Sequence, residues 1–285
     1  MEKSAILSAL ATEVEQGRLI FPTSTHAAIK INRALNDPDC NLEMVIKLIQ
    51  LEPLLSAKVV AIANSVVFNR SGKRITDVRS AVNLIGVRTV RNLATAVVVQ
   101  QLAGAQARSE MVTQLWQHSA HVAALAQVIA RRITKQDPET AMFAGIIHEI
   151  SWFYLLAREK YYPGLVDESL ASSWNSDEDL EDETELECEI KIGSAILKAL
   201  SIPESIIDNI VYLWRGYLAF PPATLGDTLL FADQLAPVKS PFMLPSNQTG
   251  FSIANIDLLS DEETLSNILK NSQEEVNSLT HALCV

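Results

Sequence analysis

Apolar residues recur at three- and four-residue intervals from Ala5 to the C-terminus, and strand-like alternation is rare. That spacing predicts helices rather than strands. Breaks fall at Phe21-Pro22-Thr23, Asn36-Asp37-Pro38, Glu52-Pro53, residues 69–73, Gly86, Gly104, Asp137-Pro138, Pro163-Gly164, Ile202-Pro203 and Pro221-Pro222. Each separates segments of ordinary helix length, so the expected fold is all-α, an irregular multi-helix bundle. Residues 237–250 read as a loop leading to a final helix. Ser260 and Glu263 would form its capping box, and Leu265, Ile268 and Leu269 its apolar face.

The densest chemistry lies in residues 115–156. Leu115, His118, Val122, Leu125 and Ile129 form one helical stripe, which turns His118 toward a core. Asp137 and Pro138 open the next helix as N-cap and first position. From Ala141 to Ile147 that helix is apolar nearly all round, so His148 and Glu149 end a buried segment. An imidazole and a carboxylate are expensive there unless they bind a metal or satisfy each other. Asp233 is a solitary acid in another apolar helix. Two readings stand at this point: core histidines that hold helices together, or a metal set of His118, His148, Glu149 and Asp233. His121 flanks the stripe and is expected to be semi-exposed.

Charge narrows the choice of partners. The chain has 285 residues, 48% hydrophobic content and a net charge of −11. Residues 1–100 carry 12 Lys+Arg against 8 Asp+Glu, whereas residues 101–285 carry 11 against 26. Nine of the thirteen residues 177–189 are acidic, which suits a solvated loop or the frayed start of a helix, with a docking site for a basic partner as the alternative. Generic nucleic-acid binding is disfavoured, because phosphate contacts need positive potential. Arg74, Arg88 and Arg91 belong to a basic stretch that could hold an anion or an acidic partner, although a solvated surface explains it as well. Charged residues interrupt the longest apolar runs, so no membrane span is expected. Cys40, Cys188 and Cys284 are scattered without paired spacing, which points to a reducing cytoplasm.

Several ordered motifs then resemble one family. Phe21-Pro22-Thr23, Leu51-Glu52-Pro53-Leu54-Leu55-Ser56-Ala57-Lys58 and Ala61-Ile62-Ala63-Asn64-Ser65 are similar to the opening helices of HDOD domains, the HD-related output domains. Ile75-Thr76-Asp77-Val78, Leu84-Ile85-Gly86, Arg91-Asn92-Leu93-Ala94, Leu115-Trp116-Gln117-His118 and Ala144-Gly145-Ile146-Ile147-His148-Glu149 continue the likeness. It covers about residues 17–236. It implies an N-terminal helical lobe (1–110), an HD-like helical lobe (111–236) and a C-terminal loop and helix (237–285) packed on the same unit.

The resemblance extends to the HD-domain metal-dependent phosphohydrolases, with His118, His148, Glu149 and Asp233 at the metal positions. This chain departs from that pattern. Glu149 stands where the family usually has aspartate, Glu189 precedes Gly193 where a histidine is common, and Leu213-Trp214 replace a His-His pair. The resemblance therefore implies a bacterial signal-transduction module that binds a protein partner or small ligand without turnover. No cofactor is expected, with a divalent metal at a degraded site as the alternative. Metal-dependent hydrolysis of a nucleotide or phosphoester is the alternative activity, self-association the alternative partnership, and no membrane partner is expected.

Overall fold

A computed structural model of the chain describes residues 3–22, 25–104, 110–159, 161–162, 165–166, 179–216, 222–242 and 265–285. Among them the regular structure is helical throughout, as the apolar spacing predicts. The first half comprises α1 (Lys3–Glu15), α2 (His26–Leu35), α3 (Leu42–Gln50), α4 (Pro53–Ala63) and α5 (Val78–Leu102). Next come α6 (Glu110–Ile129), which ends in a π turn (Ala130–Thr134), α7 (Pro138–Ile147) and α8 (Ile150–Arg158). The remainder is α9 (Asp179–Ala199), α10 (Glu204–Trp214), α11 (Leu225–Leu235), α12 (Leu265–Asn271) and α13 (Gln273–Cys284).

Local chemistry sets several of these boundaries. Asn41 and Asp77 accept backbone N–H groups at the starts of α3 and α5, and Thr224 with Asp227 forms a capping box on α11. Pro53 and Pro138 open α4 and α7. Gly86 breaks α5 with φ 80° and ψ 160°, a backbone conformation that side chains strain to adopt.

One hydrophobic core runs through the described residues, with α6 at its centre. Helix α6 packs on α7, α11 and α13, while α5 packs on α4, α2, α3 and α7. The principal neighbour of α1 is α9, far along the chain. Helix α13 touches both α6 and α4. There Lys58, with 0% of its surface exposed, donates from Nζ to the carbonyls of Leu283 (2.6 Å) and Val285 (3.1 Å). The indole of Trp116 donates to the same Leu283 carbonyl at 3.2 Å, and the ammonium lies 5.0 Å from its ring centroid. A buried cation thus caps the end of α13, where the helix dipole favours positive charge.

One expectation needs correction. The final helix is two helices, α12 and α13, broken at Ser272, and its expected capping box at Ser260 and Glu263 lies outside the described residues. Val78–Leu102 and Pro138–Arg158 are, by length and hydropathy, apolar enough to cross a bilayer. Yet 61% and 89% of those windows are buried inside the protein, as in core helices.

Candidate metal centre

Four elements converge on one point. Helix α6 supplies His118, the α7–α8 junction supplies His148 and Glu149, α11 supplies Asp233, and the following strap, residues 236–242, lies over them. Close approach of α6 and α7 makes this convergence work. A Cβ placed on Gly145 would stand 2.7 Å from the Ala123 Cα, so only glycine lets the helices meet so tightly. The imidazole rings of His118 and His148 consequently sit edge to face, with centroids 5.4 Å apart.

The described residues contain one cluster suited to a metal, His118, His148 and Asp233, whose ligand atoms all lie within 4.8 Å of one another. His118 is held from both sides. Its Nδ1 donates to the Val238 carbonyl at 2.8 Å, and its Nε2 lies 3.0 Å from Asp233 Oδ1. Nδ1 of His148 donates to the Gly145 carbonyl at 2.8 Å. That bond leaves Nε2 of His148 as a buried nitrogen with no hydrogen-bond partner, 3.8 Å from Asp233 Oδ1 and 3.7 Å from Glu149 Oε1. Backbone carbonyls thus fix both tautomers and turn both Nε2 atoms inward, the second-sphere arrangement usual around a metal-binding histidine. The orphan Nε2 and adjacent carboxylate fit a divalent cation; Glu149 Oε1, 3.5 Å from His118 Nε2, stands beside the tight set.

Burial and charge push these groups apart electrically. His148 falls to about 4, because burial and the neighbouring His118 both disfavour its charged form. Burial opposes charge on His118 too, but the Asp233 hydrogen bond and the carboxylates of Glu149 and Asp233 outweigh it and raise its pKa. Burial lifts Glu149 to about 7, against the attraction of His118 and a hydrogen bond from Ser240. Asp233 is drawn down despite burial by His118, His148 and Lys239. The surroundings thus favour the charged form of His118 beside Asp233 and the neutral form of His148.

Sequence reasoning names the converging side chains but misses what surrounds them. The strap contributes the Val238 carbonyl and Ser240, and Phe242 stacks on Trp152 with ring centroids 4.1 Å apart and planes 8° off parallel. Trp214 packs against Gly193, where a Cβ would come within 2.4 Å of the indole, and donates to the His148 carbonyl at 2.8 Å. The indole therefore takes up space in the region where the resemblance leads one to look for further histidines. Among the described residues His121 bonds its own helix alone, Nδ1 to the Gln117 carbonyl at 2.8 Å.

The basic stretch does not form one cluster. Arg88 is engaged by Asp137 (2.7 and 3.2 Å) and Glu139 (2.6 Å), tying α5 to α7. The Asp137 side chain is thereby drawn away from capping α7. Arg91 donates from Nε to the Leu35 carbonyl and shares a cleft with Arg88, whereas Arg74 is exposed before α5 and does not line it.

The HDOD domain family matches residues 21–215. The fold is similar to that of an HDOD domain protein of unknown function from Geobacter sulfurreducens, at 22% identity over 98% of this chain and 97% of that one (TM-score 0.65). A Shewanella amazonensis SB2B protein provisionally named a metal-dependent phosphohydrolase aligns at 19% identity over 99% of this chain and 100% of its own (TM-score 0.63). A Marinobacter aquaeolei VT8 protein provisionally named for signal transduction aligns at 17% over 99% and 66% (TM-score 0.63). At these identities the structural likeness speaks to fold. No curated protein matches the chain. With the family match spanning most of its length, this chain belongs to the HDOD domain family.

Proposed function

We propose that this protein is a signal-transduction output module of the bacterial cytoplasm that works by binding a protein partner or small ligand, not by turnover. The observation that carries the reading is the closure of the metal centre by the strap. The side chains of His118 and His148 are 1% and 2% exposed, and only Asp233, at 20%, offers a modest opening to solvent. The surroundings agree. Of the arginines that could clamp a phosphate, Arg131 pairs with Glu275 and Arg158 with Glu13, while Arg132 is exposed beyond α6. The Lys239 ammonium donates to the Gln234 carbonyl. In this reading His118, His148 and Asp233 hold a divalent cation, with Glu149 as a fourth group, and the ion fixes α6, α7, α11 and the strap in one arrangement.

Metal-dependent phosphohydrolysis is the second reading, favoured by the convergence of two imidazoles and a carboxylate. A bound divalent ion would supply Lewis acidity toward a phosphoryl oxygen. The two are separated by loading the protein with manganese, iron or nickel and assaying nucleotides, phosphomonoesters and phosphodiesters beside His148→Ala. The binding reading expects equal, background rates in both proteins. Metal-dependent turnover that disappears in His148→Ala would overturn it.

A further inference from the structure

The cleft between α2 and α5 on one side and α7 and the α9–α10 turn on the other has a volume of about 280 Å³. One wall is apolar, formed by Phe143, Leu200, Ile202 and Ile206. The opposite wall is polar and carries Arg91, Asn92 and Asn36. We infer that this cleft is a binding site for a small organic anion: an acidic group held by Arg91 and an apolar body lying against Phe143 and Ile206. The assignment goes beyond the reading of the metal centre and stands whether or not that centre turns over a substrate.

Arg91 is prepared for the role. Its Nε donates to the Leu35 carbonyl at 2.7 Å, which holds the guanidinium in place. Its two terminal nitrogens keep no partner among the described residues, a half-buried fork suited to a carboxylate or phosphate. Arg88 lines the same cleft but is committed to Asp137 and Glu139, whose two carboxylates outweigh its single charge, so the uncommitted cation is Arg91. The first turn of α10 borders the cleft through Pro203 and Ile206, and brings the positive end of that helix to it. Glu204 of that turn is drawn to Lys198 at 3.2 Å.

Ser201 adds a second sign. Its N–H bonds the Lys198 carbonyl while Ile202 N–H bonds that of Leu197, so α9 ends in a Schellman turn with Ser201 at φ 59°. Glycine is the usual residue there, yet a hydroxyl is present and lines the cleft.

Phenyl phosphate, titrated calorimetrically in EDTA, is the probe; inorganic phosphate and phenol are its halves. The inference expects saturable binding of phenyl phosphate at millimolar concentrations or below, and about tenfold weaker binding of either half. Arg91→Gln should weaken binding about tenfold or more by removing a charge-assisted pair, and Ile206→Trp should fill the cleft and abolish it. Because Arg91→Gln also loses the Leu35 bond, Ser201→Gly is the check on folding. It should weaken binding about two- to tenfold, as loss of one hydrogen bond does, with a melting temperature no lower than that of the wild type. His148→Ala should bind like the wild type, which separates this cleft from the metal centre. No saturable binding to the wild type would overturn the assignment, as would wild-type affinity retained in Arg91→Gln and Ile206→Trp, or binding lost only in His148→Ala.

Discussion

Gly145 lies against Ala123 so closely that a methyl group on it would stand 2.7 Å from the Ala123 Cα and 2.9 Å from its nitrogen. Both neighbours are main-chain atoms, which cannot swing aside like a flexible side chain. The seam between α6 and α7 therefore sets the separation of His118 and His148.

Gly145→Ala is expected to force the two helices apart and destabilise the fold by about 1–3 kcal/mol, the range for overpacking a filled core. Chemical denaturation measures the loss. A variant that melts like the wild type would show that the seam is looser than the geometry implies.

Metal uptake should be pH-dependent. His118 has a raised pKa and must lose its proton to offer Nε2, so binding releases a proton and affinity increases as pH rises through that value. His148, at about 4, is already neutral near pH 7 and contributes no such dependence there, whereas Glu149, lifted to about 7, would release a further proton on joining the ion. Titrations with zinc or manganese at several pH values, in buffers of different ionisation enthalpy, count the protons released.

Lys58 gives stability a dependence of its own. Burial lowers its pKa to about 8 from the ordinary 10.5. The unfolded chain therefore binds more protons than the folded one between those values, and stability gains from this group as pH rises from about 8 toward 10.5. Below about 8 the lysine is charged in both states and its full burial penalty is present. The gain is at most about 3 kcal/mol. Lys58→Met, compared with the wild type by urea denaturation across that range, should flatten the rise.

Ser201→Gly should relieve left-handed strain at the end of α9 and stabilise the protein by up to about 1 kcal/mol. A lower melting temperature would mean that the serine hydroxyl supports the fold itself.

The frame and the side chains that converge at the centre were legible in the sequence because both are periodic. The stripe through Leu115, His118 and Val122 turns His118 inward, and the unbroken apolar run before His148 buries that residue as expected. What encloses the site was not legible. The Val238 carbonyl fixes the His118 tautomer, and a backbone carbonyl has no residue type to betray it. Residues 237–250 could be read only as a loop, and the part of that tract beyond residue 242 lies outside the described residues. The cleft is built from Asn36, Arg91, Phe143 and Ser201, positions that only tertiary packing brings together. Asp137 shows a local rule yielding to a stronger partner: it sits at the N-cap, but its carboxylate goes to Arg88 and Thr140. The acidic run at 177–189 reads as a solvated loop or a helix start; α9 takes it up from Asp179 and has already buried Glu189 at its end, while residues 177 and 178 lie outside the described residues.

Lys58 and Leu283 are separated by 225 residues, and their contact has a kinetic meaning. Closing a flexible loop of that length carries an entropic cost of about 5 kcal/mol before any contact rewards it. Docking of α13, which bridges α4 and α6, should thus come late on the folding pathway. Until then the ammonium of Lys58 and the indole of Trp116 remain on an open edge. A refolding chain would stay open to aggregation through that edge until α13 docks.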